Sequence, residues 1–413
     1  MTPGQGGAGR PNLPDGAKCH RLGTHRILSP AETVARVTPL MARMGITRVA
    51  DVTGLDRIGV PVVMVCRPNA RSLAVSQGKG CDLAAATASG LMEAAELYHA
   101  EHIDRPLRLG SLAELSGALP FADIARLPRI SDAFHPHLVT LWIEGRDLVS
   151  GQPRWLPFES VRANFTLPPP PGSGCFDCSS NGLASGNSMA EALCHAICEV
   201  IERDAIALWN AGGERGATGL DLAGVDDPAC RDLLARLEGA DFDVAVWDIA
   251  SDIGVPAFSC LITDRRDPMQ HMGLGAGAHP ARAIALSRAL TEAIQVRTTY
   301  ISGARDDLTH RDYGAAERAR KAAWAARMRA EHRPARDFGG IAQHVSDRFG
   351  QDLGWLLDRL SGVGATEVVA VDLSKPDLGL DVVRVVIPGL EGPDDHPRYR
   401  PGARARRRME RAR

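Results

Sequence analysis

Three stretches of this chain place carboxylates at helical spacing inside segments that are otherwise almost wholly apolar. The first reads Ser89-Gly-Leu-Met-Glu93-Ala-Ala-Glu96. The second reads Glu191-Ala-Leu-Cys-His195-Ala-Ile-Cys-Glu199-Val-Ile-Glu202-Arg203, and the third Arg288-Ala-Leu-Thr-Glu292-Ala-Ile-Gln295-Val-Arg297. At about 100° per residue, Ser89, Glu93 and Glu96 fall on one stripe of a helix, as do Arg288, Glu292 and Gln295. Glu191 and Glu202 align over three turns, with His195 and Cys198 between them. A helix that is apolar nearly all round is buried, and a buried carboxylate without a partner is costly. Such acids therefore sit at a wet edge or meet cations. Two readings stay open from the residues alone. One is three ordinary helices with solvated Glu stripes and local Glu–Arg pairs. The other is a site for several Mg²⁺ ions, because hard oxygen ligands suit that ion, and Mg²⁺ usually arrives with phosphates. Arg203, Arg288, Arg297 and Lys79 lie on or near the same segments and are of the right type to hold phosphate oxygens.

The frame around these helices is mixed. Apolar runs predict strands at 61–66, 138–143, 243–249, 257–262, 367–372 and 382–387. Helices are predicted over 30–44, capped by Ser29, and over 82–102, 188–210, 281–302 and 315–333. Residues 1–27 read as a loose leader, 168–174 (PPPPGSG) as a break, and the Arg-rich end from Pro401 as a solvated tail. Strands and helices mix without strict alternation, so the fold class expected is α+β rather than a doubly wound sheet.

Composition narrows the function. A formal net charge of −2 argues against a general nucleic-acid or membrane-surface binder. No apolar run approaches the roughly eighteen residues of a membrane span. Nine scattered cysteines read as reduced thiols in a cytoplasmic protein. Only four residues are lysine, and one of them, Lys79, lies in Gln77-Gly-Lys79-Gly80, where a compact ammonium is called for. There is no GxxxxGK[ST] loop, so phosphates are not held in a P-loop. Gly273-Leu-Gly275-Ala-Gly277 is a weak glycine run able to offer backbone N–H groups. Cys175-Phe-Asp-Cys178 reads as a pair of structural thiols, with no second CxxC to complete a metal site. His195 reads as a satisfied core histidine, and His279 as shaping the start of the third helix.

These residues resemble the YcaO family. Ser180-Asn-Gly-Leu-Ala-Ser-Gly-Asn187, running on to Glu191, Glu199, Glu202 and Arg203, is similar to that family's central signature. Ser76-Gln-Gly-Lys-Gly80 with Ser89, Glu93 and Glu96 resembles its first acidic helix. Gly275-Ala-Gly-Ala-His-Pro280 with Arg288, Glu292 and Gln295 resembles its third. The likeness spans residues 55–392, leaving 1–54 as an N-terminal leader and helical segment and 393–413 as an Arg-rich tail. It implies an α+β fold peculiar to the family, and the use of ATP and Mg²⁺ to activate a peptide backbone amide. It implies Mg²⁺–phosphate roles for Glu93, Glu96, Glu191, Glu199 and Glu202. It implies nucleotide contacts from Lys79, Ser89, Asn187, Arg203, Arg288, Glu292, Gln295 and Arg297.

The flanking segments Gly54–Pro61, 297–307 and Pro388–Gly392 look most like the thioamide-forming branch, whose members act with a TfuA-like partner. The expectation is then that sulfide adds to a peptide carbonyl and the oxygen leaves as phosphate. Azoline formation by a cyclodehydratase, and a non-catalytic ATP-binding accessory role to a ribosomal-protein methylthiotransferase, are the alternatives. A partner is expected to recognise the peptide or protein substrate, and a homodimer is compatible with the family.

Overall fold

The structure is a computed structural model that describes residues 13–213 and 218–412. In chain order, helix α1 (Pro30–Val37) leads into strands β1 (Arg48–Asp51), β2 (Val62–Cys66) and β3 (Val75–Lys79), followed by α2 (Leu83–Glu101). Next come β4 (Leu107–Gly110), the one-turn α3 (Leu112–Leu115), β5 (Thr140–Asp147), β6 (Pro153–Pro157), β7 (Leu183–Gly186) and α4 (Met189–Ala211). Then follow β8 (Thr218–Asp221), α5 (Pro228–Gly239), β9 (Phe242–Asp248), β10 (Ala257–Asp264), β11 (Gly273–Ala278) and α6 (Arg282–Ser302). The remainder is α7 (Ala315–Glu331), β12 (Pro334–Asp337), α8 (Phe349–Gly362), β13 (Val369–Asp372), β14 (Asp381–Val386) and α9 (Ala403–Ala412). The expected α+β class holds.

The strands form three sheets. β1-β2-β3 is antiparallel. A second sheet runs β11-β10-β9-β8-β12, with β12 parallel to β8. The third runs β4-β5-β13-β14-β7, with β6 on β5. Each sheet sends one strand directly into one of the three acidic helices: β3 into α2, β7 into α4, β11 into α6. The glycines of the three motifs explain why. A Cβ on Gly78 would run into the Ala86 carbonyl oxygen of α2, and one on Gly275 into the backbone of Ala293 in α6. Their absence lets strand and helix backbones touch, which is a packing use of glycine rather than a phosphate-binding one. The Gly273–Ala278 run is accordingly a strand.

Local chemistry sets the helix ends. Asp82 caps α2 by accepting from the Ala85 N–H at 2.7 Å, and Ser188 caps α4 by accepting from Glu191 at 3.3 Å. α1 opens with a capping box of Ser29 and Glu32 but stops at Val37, short of the predicted 44. Pro39 has no N–H to continue the α-helical ladder, and the chain tightens into a 3-10 turn over Thr38–Leu40.

Two segments differ from their sequence reading. Of the residues read as a loose leader, 1–12 lie outside the described residues, while 13–27 are tied down. The Phe349 N–H donates to Gly16 at 2.9 Å, and the Ile27 N–H to Glu191 at 2.9 Å. The Arg-rich tail folds as α9 and buries Arg404 and Ala405. Among the described residues no helix is long and apolar enough to cross a membrane.

Candidate active site

The three strand–helix units converge their acids on one interior cleft. From α2, Glu96 accepts from the Ser185 N–H at 2.8 Å and hydroxyl at 2.7 Å on β7. From the first turn of α4, the buried Glu191 accepts from Ile27 at 2.9 Å, and Arg26 approaches it at 3.5 Å. One turn before the middle of α4, His195 Nε2 lies 3.0 Å from Arg288 of α6. Glu202, almost fully buried, accepts from the Ala278 N–H at 3.0 Å and sits 3.3 Å from Arg203. From α6, Glu292 pairs with Lys79 of β3 at 2.6 Å, and Gln295 donates to the Gln77 carbonyl at 2.9 Å.

The electrostatics separate these acids into two kinds. Lys79 and Arg203 overcome the opposing effect of burial and hold Glu292 below its ordinary range. Glu93, Glu96 and Glu199 go the other way. Burial pushes Glu93 up to about 7 despite Lys79 and Arg305. It pushes Glu96 up to about 8, helped by Glu93 and Glu199 and opposed by Ser185. It pushes Glu199 up to about 7 despite Arg203. Arg203 is held above its usual value although burial works against it, because Glu202, Glu292 and Glu199 surround it. Burial and the cations Arg26 and Arg288 depress His195 well below its ordinary value. It is therefore neutral, and with its Nε2 taken by Arg288 it is a satisfied histidine that orients that arginine.

Unpartnered donors face the same elements. Arg288 Nε on α6 and Gln77 Nε2 on β3 are buried without a hydrogen-bond partner. Carboxyls whose ionisation burial opposes, beside arginine and amide donors without acceptors, suit a cation–phosphate guest. The acids do not form a single closed cage. Among the described residues, the ligand atoms of three or more acidic, His or Cys side chains converge within 4.8 Å only at His25, His279 and Asp352. There Lys18 Nζ already sits 2.5 Å from Asp352, so a protein ammonium takes the cation's place. The open spread of the Glu cluster matches Mg²⁺, which takes one or two carboxylates and completes its shell with phosphate and water.

The structure brings together Lys79, Glu96, Glu191, Arg203, Glu202, Arg288, Glu292 and Gln295 through these contacts, and Glu93 and Glu199 through the mutual fields just described. Ser89 is half-buried on the stripe of α2 that carries Glu93. Asn187 bridges α1 and α4, donating to Thr33 at 3.1 Å and to Glu191 at 3.4 Å. Arg297 goes elsewhere: it pairs with Asp56 at 2.7 Å and with Asp264 at 3.2 Å, in a closed ionic knot. His279 accepts from the Ala281 N–H at 2.9 Å, which fixes the entry to α6 as expected. Cys175 and Cys178 are free thiols whose pKa burial raises, with Cys178 donating to the Arg162 carbonyl at 3.3 Å. That fits structural thiols.

Sequence reasoning missed Arg26, Thr33, Ser185 and Arg384. Arg384 is buried on β14, and its charge reaches Glu199. Arg26 sits in the segment read as a leader, in a chain where arginine is the default base, so nothing local marks it.

Residues 77–391 match the family model described as YcaO cyclodehydratase, ATP- and Mg²⁺-binding. A relative from Rhizobium leguminosarum bv. trifolii, described as an uncharacterized protein in the tfuA 3′ region, is 34% identical over 89% of this chain and 88% of its own length. A Methanothermobacter thermautotrophicus protein without a described role is 33% identical over 88% of this chain and 94% of its own. Among solved structures, YcaO from Methanopyrus kandleri bound with AMPPCP and Mg²⁺ superposes at a TM-score of 0.73 and 22% identity, covering 91% of this chain and 94% of that one. A heterocyclase in complex with substrate and cofactor gives 0.72 at 24% identity over 92% of this chain; the chain spans 54% of that protein's length. At these identities the structural likeness concerns the fold.

Proposed function

This chain belongs to the YcaO family, and from that premise we propose that it activates a peptide backbone amide by O-phosphorylation and replaces the amide oxygen with sulfur. The cofactors are ATP and Mg²⁺. The observation that carries the reading is the trio Glu93, Glu96 and Glu199, whose carboxyls burial raises to about 7 to 8, so that a bound cation favours their ionised form. Bound Mg–ATP supplies the phosphoryl group that makes the amide oxygen a leaving group.

The chain's own residues divide the work. Glu93, Glu96, Glu191, Glu199 and Glu202 hold the metal. Arg203, Arg288 and Lys79 face the phosphates, and Arg26 joins them from the N-terminal segment beside Glu191. Glu292 keeps Lys79 in place, and His195 does the same for Arg288. Ser89, Asn187 and Gln295 complete the nucleotide's surroundings. Most of the catalysis is positioning and charge neutralisation, the parts that phosphoryl transfer asks of a protein. The balance is amide plus hydrogen sulfide plus ATP giving thioamide, ADP and phosphate, with the sulfur's protons passing to the released phosphate and solvent.

The sulfur reading rests on the flanking segments and on the relative named for its place beside tfuA, which supports a TfuA-like protein as sulfide-delivering partner. The family's description as a cyclodehydratase favours one other product, an azoline formed by a neighbouring Cys, Ser or Thr. Comparative mass spectrometry of host peptides and proteins, with and without the gene, separates the two. Thioamidation gives a gene-dependent species heavier by sulfur minus oxygen. A species lighter by one water identifies azoline formation instead.

A further inference from the structure

The Arg-rich end of the chain has a use that the nucleotide site does not absorb. On α9, Arg404, Arg407, Arg408 and Arg411 recur at the three- and four-residue spacing that makes one helical stripe. The inner end is anchored. Arg404 forks onto Asp204 of α4 at 2.9 and 3.0 Å and also pairs with Asp252. Beyond that anchor lies a cavity of about 410 Å³ between α9, the C-terminal half of α4 and the end of β9. All four arginines line it, together with Trp209 and Ser251.

Its lining offers donors in excess of acceptors. Trp209 Nε1, which can only donate, is buried there without a partner. Among the described residues Arg407 and Arg411 are exposed and make no ion pair. The acids at the cavity are already matched, Asp252 by Arg404 and Asp248 by Arg336 at 3.2 Å. A guest must therefore bring acceptors and negative charge.

We propose that this cavity and the outer stripe of α9 dock an extended acidic peptide. Arg407 and Arg411 stand about 6 Å apart along the helix axis, from a rise of about 1.5 Å per residue. Side chains on one face of an extended peptide repeat at about 6.7 Å. Alternate Asp or Glu residues would thus meet successive arginines, and the Trp209 N–H would meet a carboxylate or backbone oxygen. Single-stranded nucleic acid fits less well, since stacking needs an open aromatic face and Trp209 is buried. An anionic membrane fits less well too, because α9 presents no large apolar side chain except Met409 for insertion. The site is separate from the nucleotide cleft, although both use α4.

The test uses the full chain and a fluorescein-labelled (Glu-Ala)₄ peptide, with (Gln-Ala)₄ as control, read by anisotropy. The acidic peptide is expected to bind, to weaken as salt rises, and to stay bound under saturating Mg–AMPPCP. The Arg407→Glu/Arg411→Glu double variant, altered only at exposed positions, is expected to melt with wild type and bind at least about tenfold more weakly, as reversing two contacting charges requires. Equal binding of the glutamine peptide, displacement by Mg–AMPPCP, or undiminished binding by the double variant would overturn the proposal. So would tighter, Arg407- and Arg411-dependent capture of poly(U) or phosphatidylserine vesicles, which would name a different occupant.

Discussion

Helix α6 carries buried charge at both ends of one run, and the two ends are built oppositely. Toward its C-terminus, Arg297 closes a knot with Asp56 and Asp264, and Arg57 adds a fork to Asp264 at 2.7 and 2.5 Å. Both guanidinium groups lie over the Phe242 ring, 4.7 and 4.8 Å from its centre. The hydrogen bonds from Arg57 hold the Asp264 carboxyl below its usual range, so every charge there is answered from within the protein. Five residues earlier, Glu292 borders a cluster in which Glu93, Glu96 and Glu199 are pushed up, not down. The same fold can neutralise buried acids and at the cleft does not. On the proposed reading, the missing charge comes from bound Mg–ATP.

The strongest way to break this contrast is substitution at each end. Glu199→Gln is expected to lower ATP turnover at least about a hundredfold, the scale of removing one charge-stabilising group. It should leave the melting temperature of the ligand-free protein unchanged or raised at mildly alkaline pH, because it removes a badly placed charge. Arg297→Met should do the reverse. It strands Asp56 and leaves Asp264 to Arg57 alone, so stability falls by about 3 kcal/mol, while turnover per folded molecule stays within about twofold of wild type. Calorimetric melting and a phosphate-release assay read both.

A pH series sharpens the contrast next. Carboxyls raised from 4.5 to about 7 or 8 favour the protonated form on folding. Their cost to stability is absent below the unfolded value and grows as pH rises through the folded one. Asp264 has the opposite sign: its contribution is present above 3.8 and lost as pH falls below it. Buried histidines such as His25, His195 and His279, held below their ordinary value, add stability as pH rises through 6.5, so the cluster dominates only from neutral to mildly alkaline pH. The ligand-free melting temperature should fall across that window, and Mg–AMPPCP should flatten the slope. The smallest effect is expected of Arg26→Gln, a nucleotide KM raised about tenfold from the loss of one charge-assisted contact, with little change in melting.

The three acidic helices were legible because their signal is local: period, apolar surroundings and caps lie within one segment each. The strand before each helix was only half legible. Gly78 and Gly275 look like loop residues until the helix backbone is seen to press on them. Arg297 shares a helix and a charge with the site residues, and only the position of Asp56 and Asp264 across the fold assigns it to the knot. Arg26 reaches the cleft from a segment without regular structure, and Arg384 from β14, which pairs with β7 but lies far along the chain, so no spacing rule connects them to Glu191 or Glu199. The Arg-rich end was read as solvated because its partner, Asp204, lies two hundred residues away.

The most direct test is calorimetric titration of the full chain with AMPPCP near pH 7, with and without Mg²⁺, in two buffers of different ionisation enthalpy. If the cluster holds the nucleotide through Mg²⁺, binding needs the metal and releases protons, and Glu199→Gln releases fewer. Binding of equal strength without Mg²⁺, or Mg²⁺-dependent binding with no proton release, would contradict the assignment of Glu93, Glu96 and Glu199 as the carboxylates that receive the ion.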